Sequence, residues 1–345
     1  WDVTFQRGDG VFEAVRVVQD RDGVPAPRAV GLHLDRLERS ASALELPLPP
    51  RGHLESWLRD AARNGGNGGY VRLMVTRGGG SPGYGHHLPD LEAPPNAYCV
   101  WQPITVDDSK TFSLEPMVAP WHPSGFSPDW ATIKWLAYGA NMHSARLARR
   151  SGADDALLLA RGWGVADDGP LGDRAVLDGP NFAVAWLEDK VLKMPCWRRL
   201  GMLESITARL LLDAAAAENF RVDEGVHRLS DLDRADEVYV LSTTNDLTPV
   251  RRVGYASFKA DPSSPARRKL VRAMADCAAA LGERRCAKLV VDNLTHESRR
   301  WRAWGRGPLV RAAPPDGRAG RSRPFSPIFS SPRRRGDYIC LPSGA

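Results

Sequence analysis

The chain has 345 residues, 43% of them hydrophobic, enough for two domains with separate cores. No apolar run approaches the roughly 18 to 20 residues of a membrane-spanning helix, and Trp1-Asp2-Val3-Thr4-Phe5 has no signal-peptide character, so a soluble, cytoplasmic protein with no membrane partner is expected. The net charge of +6 is carried by the end of the chain: residues 283–345 hold 14 Arg and Lys against 5 Asp and Glu, a surplus of 9 that leaves the other 282 residues at −3, so the folded part gives no reason to expect nucleic acid as a partner.

The first residue is Trp1 rather than methionine, from which a native N-terminus lying further upstream is expected. Val11-Phe12-Glu13-Ala14-Val15-Arg16-Val17-Val18 alternates at the strand period, and Asp20-Arg21-Asp22-Gly23 supplies the turn of a hairpin. Helical spacing follows over 32–44, with Leu34, Leu37, Ala41 and Leu44 on one face, and a second helix is expected over 54–62. Strands at 70–76 and 96–104 complete a small α/β domain over 1–110, and the pattern breaks at 105–116, which reads as a linker.

Beyond it, 131–136 is strand-like, 139–150 helical, 155–159 a strand, and 182–187 with 191–194 a hairpin. Residues 205–218 form a helix rich in Leu and Ala, 237–242 a strand, and 265–281 a closing helix with Leu270, Met274, Cys277 and Leu281 on one face. Strands that follow strands without crossover helices argue for two mixed α+β domains, 1–110 and 111–282, rather than a Rossmann sheet. Residues 283–345, with Arg299-Arg300-Trp301-Arg302 and Pro332-Arg333-Arg334-Arg335, have the composition of a disordered tail. Its interleaved Arg and Trp would suit a single-stranded nucleic acid, a weaker alternative to a tail with no partner.

Cysteine and histidine offer little chemistry. The five cysteines (Cys99, Cys196, Cys277, Cys286, Cys340) are scattered and never form a C-x-x-C, which points to reduced thiols and away from disulfides or zinc. His86-His87 with Asp90 lacks the converging ligands a metal needs, so no metal is expected. The run Gly78-Gly79-Gly80 is followed by no Gly-Lys-Ser/Thr and is not a P-loop.

Lysine is more informative. The chain has seven lysines, most of the others among charges or turn residues, whereas Lys134 lies in Ile133-Lys134-Trp135-Leu136-Ala137-Tyr138. Burial between apolar neighbours drives an ammonium towards the neutral amine, the form that condenses with aldehydes. The alternative is a lysine whose stem lies on Trp135 and whose head reaches water.

Several segments occur in one order along the chain: Arg7-Gly8-Asp9-Gly10-Val11-Phe12-Glu13, Leu32-His33-Leu34-Asp35-Arg36-Leu37, Val75-Thr76-Arg77-Gly78, the Lys134 segment, Asp178-Gly179-Pro180-Asn181-Phe182, Leu203-Glu204-Ser205-Ile206-Thr207 and Ser242-Thr243-Thr244-Asn245-Asp246-Leu247-Thr248-Pro249-Val250. Over residues 1 to 282 the chain resembles the fold-type IV pyridoxal-phosphate enzymes, the group of branched-chain and D-amino-acid aminotransferases and aminodeoxychorismate lyase. The resemblance implies a smaller N-terminal α/β domain and a larger, β-barrel-like C-terminal domain with helices, with pyridoxal 5′-phosphate (PLP) at their junction in a homodimer. It implies that Lys134 holds the cofactor and moves a proton between the substrate Cα and the cofactor C4′. Tyr138, four residues on and one helical turn away if the helix starts early, would bond the phenolic oxygen.

Asp178 stands where the group usually carries glutamate, the carboxylate that keeps the pyridine nitrogen protonated. Arg36, Ile206, Thr207 and Thr243, with Thr244 beside it, match the phosphate site, which the free N–H groups of a helix start favour on physical grounds. Ala208 replaces an arginine usual in relatives. Arg77 and Arg16 are the candidate anchors of a substrate carboxylate. Arg16, in Phe12-Glu13-Ala14-Val15-Arg16, favours a branched-chain-like substrate with a 2-oxo acid such as 2-oxoglutarate. The run Arg77-Gly78-Gly79-Gly80-Ser81-Pro82-Gly83-Tyr84 is similar to aminodeoxychorismate lyase, and Arg77 in Val-Thr-Arg-Gly to the D-amino-acid enzymes. A non-catalytic descendant of the same fold is the remaining alternative.

Overall fold

A computed structural model describes residues 2–79, 94–105, 107–119 and 132–292, the last eleven by backbone only. His86, His87 and Asp90, the loop beyond Gly79 and the tail from 293 onwards lie outside the described residues.

After a short helix α1 (Val3–Arg7), β1 (Gly10–Gln19), β2 (Pro25–Pro27), β3 (Gly69–Thr76) and β4 (Asn96–Pro103) form an antiparallel sheet in the order β2-β1-β3-β4. Strand alternation decides its two faces. Val11 and Val15 pair in register with Val75 and Val71 of β3, and Val17 with Pro27 of β2; all three valines bury against α2 (Val30–Ala43) and α3 (Arg51–Gly65), meeting Leu34, Leu37, Leu54 and Leu58. Glu13 turns to this same apolar side. Phe12, Ala14 and Arg16, with Arg72 opposite Ala14, turn to the other.

The second sheet contains β5 (Phe112–Ala119), β6 (Asp155–Ala160), β7 (Ala183–Glu188), β8 (Val191–Pro195), β9 (Arg221–Gly225), β10 (Glu237–Leu241), β11 (Thr248–Val253) and the short β12 (Ala256–Ser257). Its order is β6-β5-β11-β10-β7-β8-β9, with β12 paired to β11; β5 runs parallel to both β6 and β11, and β8 parallel to β9. Both faces are covered. Leu114, Leu159, Trp186 and Val240 form one core layer. Ala185, Leu187, Tyr239 and Leu241 form another, beneath helix Ile206–Ala217 and the closing helix Pro265–Asp292, through Leu211, Ala214, Leu270 and Met274.

Three expectations are corrected. The linker at 105–116 gives way to β5 from Phe112: Pro116 has no N–H for a ladder and reads as a break, yet Leu114 is fully buried. The strand at 131–136 reduces to one bridge, Trp135 with Val11, and Ala131 lies outside the described residues. The closing helix continues to Asp292, past 281. Among the described residues no helix is long and apolar enough to cross a membrane.

Candidate active site

The lysine segment hangs on β1. Phe12 N–H donates to the Lys134 carbonyl at 2.9 Å, and Leu136 N–H to the Gly10 carbonyl at 2.8 Å. Only glycine allows this approach: a Cβ on Gly8, at φ 73°, would lie 2.8 Å from the Ala137 Cβ, and one on Gly10 would lie 2.8 Å from the Val75 carbonyl oxygen. Lys134 Nζ then sits 4.6 Å from the Phe12 ring centre, with the Arg72 guanidinium 4.3 Å from the same ring. Burial lowers the Lys134 pKa to about 7, Arg36 and Arg72 pushing the same way while Glu13 and Asp178 oppose them. Close to neutrality, much of the amine carries a lone pair.

Lys134 opens into a cavity of about 420 Å³ between the two sheets. On its wall stands Asp178, whose backbone is pinned where Leu158 N–H donates to its carbonyl at 2.8 Å. Burial raises the Asp178 carboxyl to about 7, opposed by its own N–H and by Lys134. A second cavity of about 240 Å³, walled by Trp197, Met194 and Leu212, also reaches Asp178. It contains neither Lys134 nor Arg36, so the chemistry belongs to the first.

Tyr138 also lines the lysine cavity, and its hydroxyl donates to the Pro180 carbonyl at 2.8 Å. Its ring meets Phe12 edge-on at 5.4 Å. Burial, with Asp178 adding, pushes its pKa up, so it stays a neutral phenol. The expected helical turn between Lys134 and Tyr138 is absent: the helix runs Gly139–Arg150, and Tyr138 only caps it.

An anion cup closes the far end. Helix Ile206–Ala217 starts here, with Ser205 Oγ accepting from Ala208 N–H at 3.2 Å. The N–H groups of Ile206 and Thr207 have no hydrogen-bond partner among the described residues, which leaves donors and the positive helix end free for an anion. Thr243 enters from the turn after β10. Thr244 is spent within that turn, on Ser242 Oγ at 3.1 Å and Asn245 Nδ2 at 3.3 Å, and is not on the cavity wall.

Arg36 completes the cup from α2. Its Nε and Nη2 donate to the two Glu13 carboxylate oxygens at 2.8 and 2.7 Å, and its Nη1 to the Glu204 carbonyl at 2.6 Å. Burial works to raise the Glu13 carboxyl, but Arg36 and His33 outweigh it and hold it at about 2. His33 Nδ1 lies 2.7 Å from Glu13 Oε2. Burial lowers the His33 pKa, so a neutral ring donates Nδ1–H to the carboxylate.

The two expected carboxylate anchors are engaged elsewhere. Arg77 is buried and bound to Asp9 at 2.9 and 3.2 Å and to the Leu44 and Glu45 carbonyls, away from the cavity wall. Arg16 is bound to Asp246 at 2.6 Å and borders a separate small space. Sequence reasoning missed Arg72. It has no carboxylate partner among the described residues and stands beside Lys134 on Phe12. It reaches the Phe12 face through the register of β1 with β3, a tertiary pairing that the sequence does not show.

A lysine about half-deprotonated near neutrality, with an anion cup set apart in the same cavity, suits an aldehyde that carries a phosphate. Residues 10–253 match the family described as amino-transferase class IV, and the chain belongs to this family of PLP-dependent enzymes. It is 27% identical over 260 residues to the D-alanine aminotransferase of Listeria innocua, 72% of this chain and 80% of that one. It is 27% identical over 282 residues to the branched-chain-amino-acid aminotransferase of Pseudomonas aeruginosa, 79% and 85% of the two chains. Its fold is that of a hypothetical aminotransferase from Mycobacterium tuberculosis in its PLP-bound form, with a TM-score of 0.66, 23% identity and coverage of 81% and 92%. It is thus fold type IV.

Proposed function

We propose that the cavity holds PLP with its aldehyde carbon at Lys134, its ring nitrogen at Asp178 and its phosphate at Arg36, Ile206, Thr207 and Thr243, and that the chain moves an amino group from a branched-chain-like amino acid to a 2-oxo acid such as 2-oxoglutarate. When bound, the cofactor supplies a sink for the electron pair left on the amino-acid Cα after deprotonation. With the cofactor bound, Lys134 would take the Cα proton and return it at C4′; a pKa of about 7 lets one group do both at neutral pH. Asp178, close to half-ionised, would be drawn to its anionic form by the cationic ring nitrogen of a bound cofactor. Arg72, whose guanidinium lies on the same Phe12 ring as the Lys134 amine, joins Arg77 and Arg16 as a candidate anchor for the substrate carboxylate; none of the three lines the cavity wall itself. The enzyme acts in the cytoplasm as a homodimer. Tyr98 and Val100, exposed on the edge strand β4, offer apolar surface for a second copy.

The observation that carries this proposal is the near-neutral Lys134 in one cavity with the anion cup. The test is a panel of L- and D-amino donors with 2-oxoglutarate, following glutamate formation and the cofactor absorbance together. Turnover with none of them, alongside pyruvate release from aminodeoxychorismate, would replace the transaminase with the lyase. A protein that takes up no PLP would be the non-catalytic descendant.

A further inference from the structure

Arg16 and Arg28 are set side by side by the backbone, where Arg28 N–H donates to the Arg16 carbonyl at 2.8 Å. Both side chains reach across the junction between the sheets to one acceptor. Arg16 Nη1 donates to Asp246 Oδ2 at 2.6 Å, and Arg28 Nη1 to Asp246 Oδ1 at 2.5 Å. With side-chain exposures of 18%, 11% and 20%, the three groups are largely withdrawn from water, where charge pairs hold more firmly than on a surface. Two guanidinium groups on one carboxylate leave a positive charge in excess.

Asp246 directly follows the turn that carries Thr243. In that turn Ser242 N–H donates to the Asn245 carbonyl at 2.8 Å, and Asn245 N–H returns to Ser242 Oγ at 3.1 Å. Behind it Arg16, Arg28 and Asp246 share a narrow space of about 10 Å³ with His33, Thr207 and Thr243. Thr207 and Thr243 also line the lysine cavity, so the clamp stands one residue layer behind the anion cup. Arg28 Nη2 is enclosed and has no hydrogen-bond partner among the described residues. A buried donor left unmet is costly, which suits a group kept for its field and its grip rather than for local stability.

We propose that Arg16, Arg28 and Asp246 are positioning residues for phosphate recognition: the clamp ties the Thr243 turn to the small-domain strands and sets the shape of the anion cup from behind. It rests on the assignment of the cofactor phosphate to that cup. The small domain, which also seats Lys134, thereby senses whether a phosphate is bound. By reciprocity, phosphate in the cup tightens the junction between the domains.

The test uses the full chain, freed of cofactor, as parent, Arg28→Met, Asp246→Ala and Arg28→Lys. Each is titrated by absorbance with PLP and with pyridoxal, which has the same aldehyde and no phosphate. The parent binds PLP more tightly than pyridoxal. Arg28→Met and Asp246→Ala lose PLP affinity by about 10- to 100-fold, the worth of a hydrogen bond to a charged group, while pyridoxal affinity holds. Arg28→Lys, which keeps the charge and one donor, retains most of the preference. A PLP-to-pyridoxal ratio equal to the parent's in Arg28→Met overturns the clamp, whether both affinities fall together or neither moves. A parent that does not distinguish the two ligands overturns the phosphate assignment instead. If Asp246→Ala does not fold, the two Arg28 variants decide.

Discussion

Glu13→Gln is the sharpest perturbation of this site, because it keeps the shape of a fully buried side chain while removing its charge and turning one oxygen that accepts from Arg36 into an N–H donor. At separations of 2.7 and 2.8 Å from Arg36, the attraction at an effective dielectric of 20 is about 6 kcal/mol, offset by the cost of taking both ions out of water. Removing one partner of such a pair strands the other, typically at about 3–5 kcal/mol. At about 1.6 °C per kcal/mol for roughly 290 folded residues, the cofactor-free variant should melt roughly 5–8 °C below the parent by calorimetry at pH 7. A phosphate in the cup replaces the lost counter-charge, so millimolar inorganic phosphate should recover more stability in Glu13→Gln than in the parent. The sign with pH is fixed by the depressed Glu13 pKa: the stability it contributes is present above about 4.5 and lost as pH falls through about 2. The melting gap between parent and variant should therefore close across that window. A variant that melts within 2 °C of the parent at pH 7, with no response to phosphate, would refute the argument that Glu13 neutralises Arg36.

Lys134→Ala should lose the long-wavelength absorbance that PLP acquires on covalent attachment, and turnover with it, by about 10²-fold or more. Lys134→Met should raise the melting temperature of the cofactor-free protein at pH 7. The depressed lysine pKa means the unfolded chain binds the extra proton between about 7 and 10.5, so parent stability climbs with pH over that range and the gain from Met shrinks. Arg72→Leu should raise KM for the amino acid and shift the alkaline-going limb of the pH profile upwards, since Arg72 is one of the charges that lower the Lys134 pKa. A change in KM without that shift would place Arg72 at the substrate but out of reach of the lysine.

How far the sequence could be read depends on the range of the forces involved. Helix 139–150 coincides with its expected span, and the strands 70–76 and 96–104 agree within one residue, because period and capping are local. Strand β5 was hidden by Pro116, and β9, Arg-Val-Asp-Glu-Gly, by its polar edge-strand composition. The residues Lys134, Asp178, Arg36, Ile206, Thr207 and Thr243 were each visible in a local motif, and all converge on one cavity. The arginines were not readable in this way. Arg16 is answered by Asp246, 230 residues away, and Arg77 by Asp9, so which guanidinium stays free is decided by tertiary pairing.

The seat of Lys134 has a practical consequence for recombination. The lysine is encoded with the larger sheet, yet its carbonyl is held by Phe12 and the segment after it by Gly10, both on the first strand of the smaller one. A chimera that exchanges residues 2–104 for those of a relative leaves the nucleophile's codon untouched while replacing the ring beneath its amine, the glycines that admit its backbone and Arg72 beside it. Swapping the half without the lysine should therefore retune the lysine's basicity, so the modular boundary of this enzyme and its genetic boundary fall in different places.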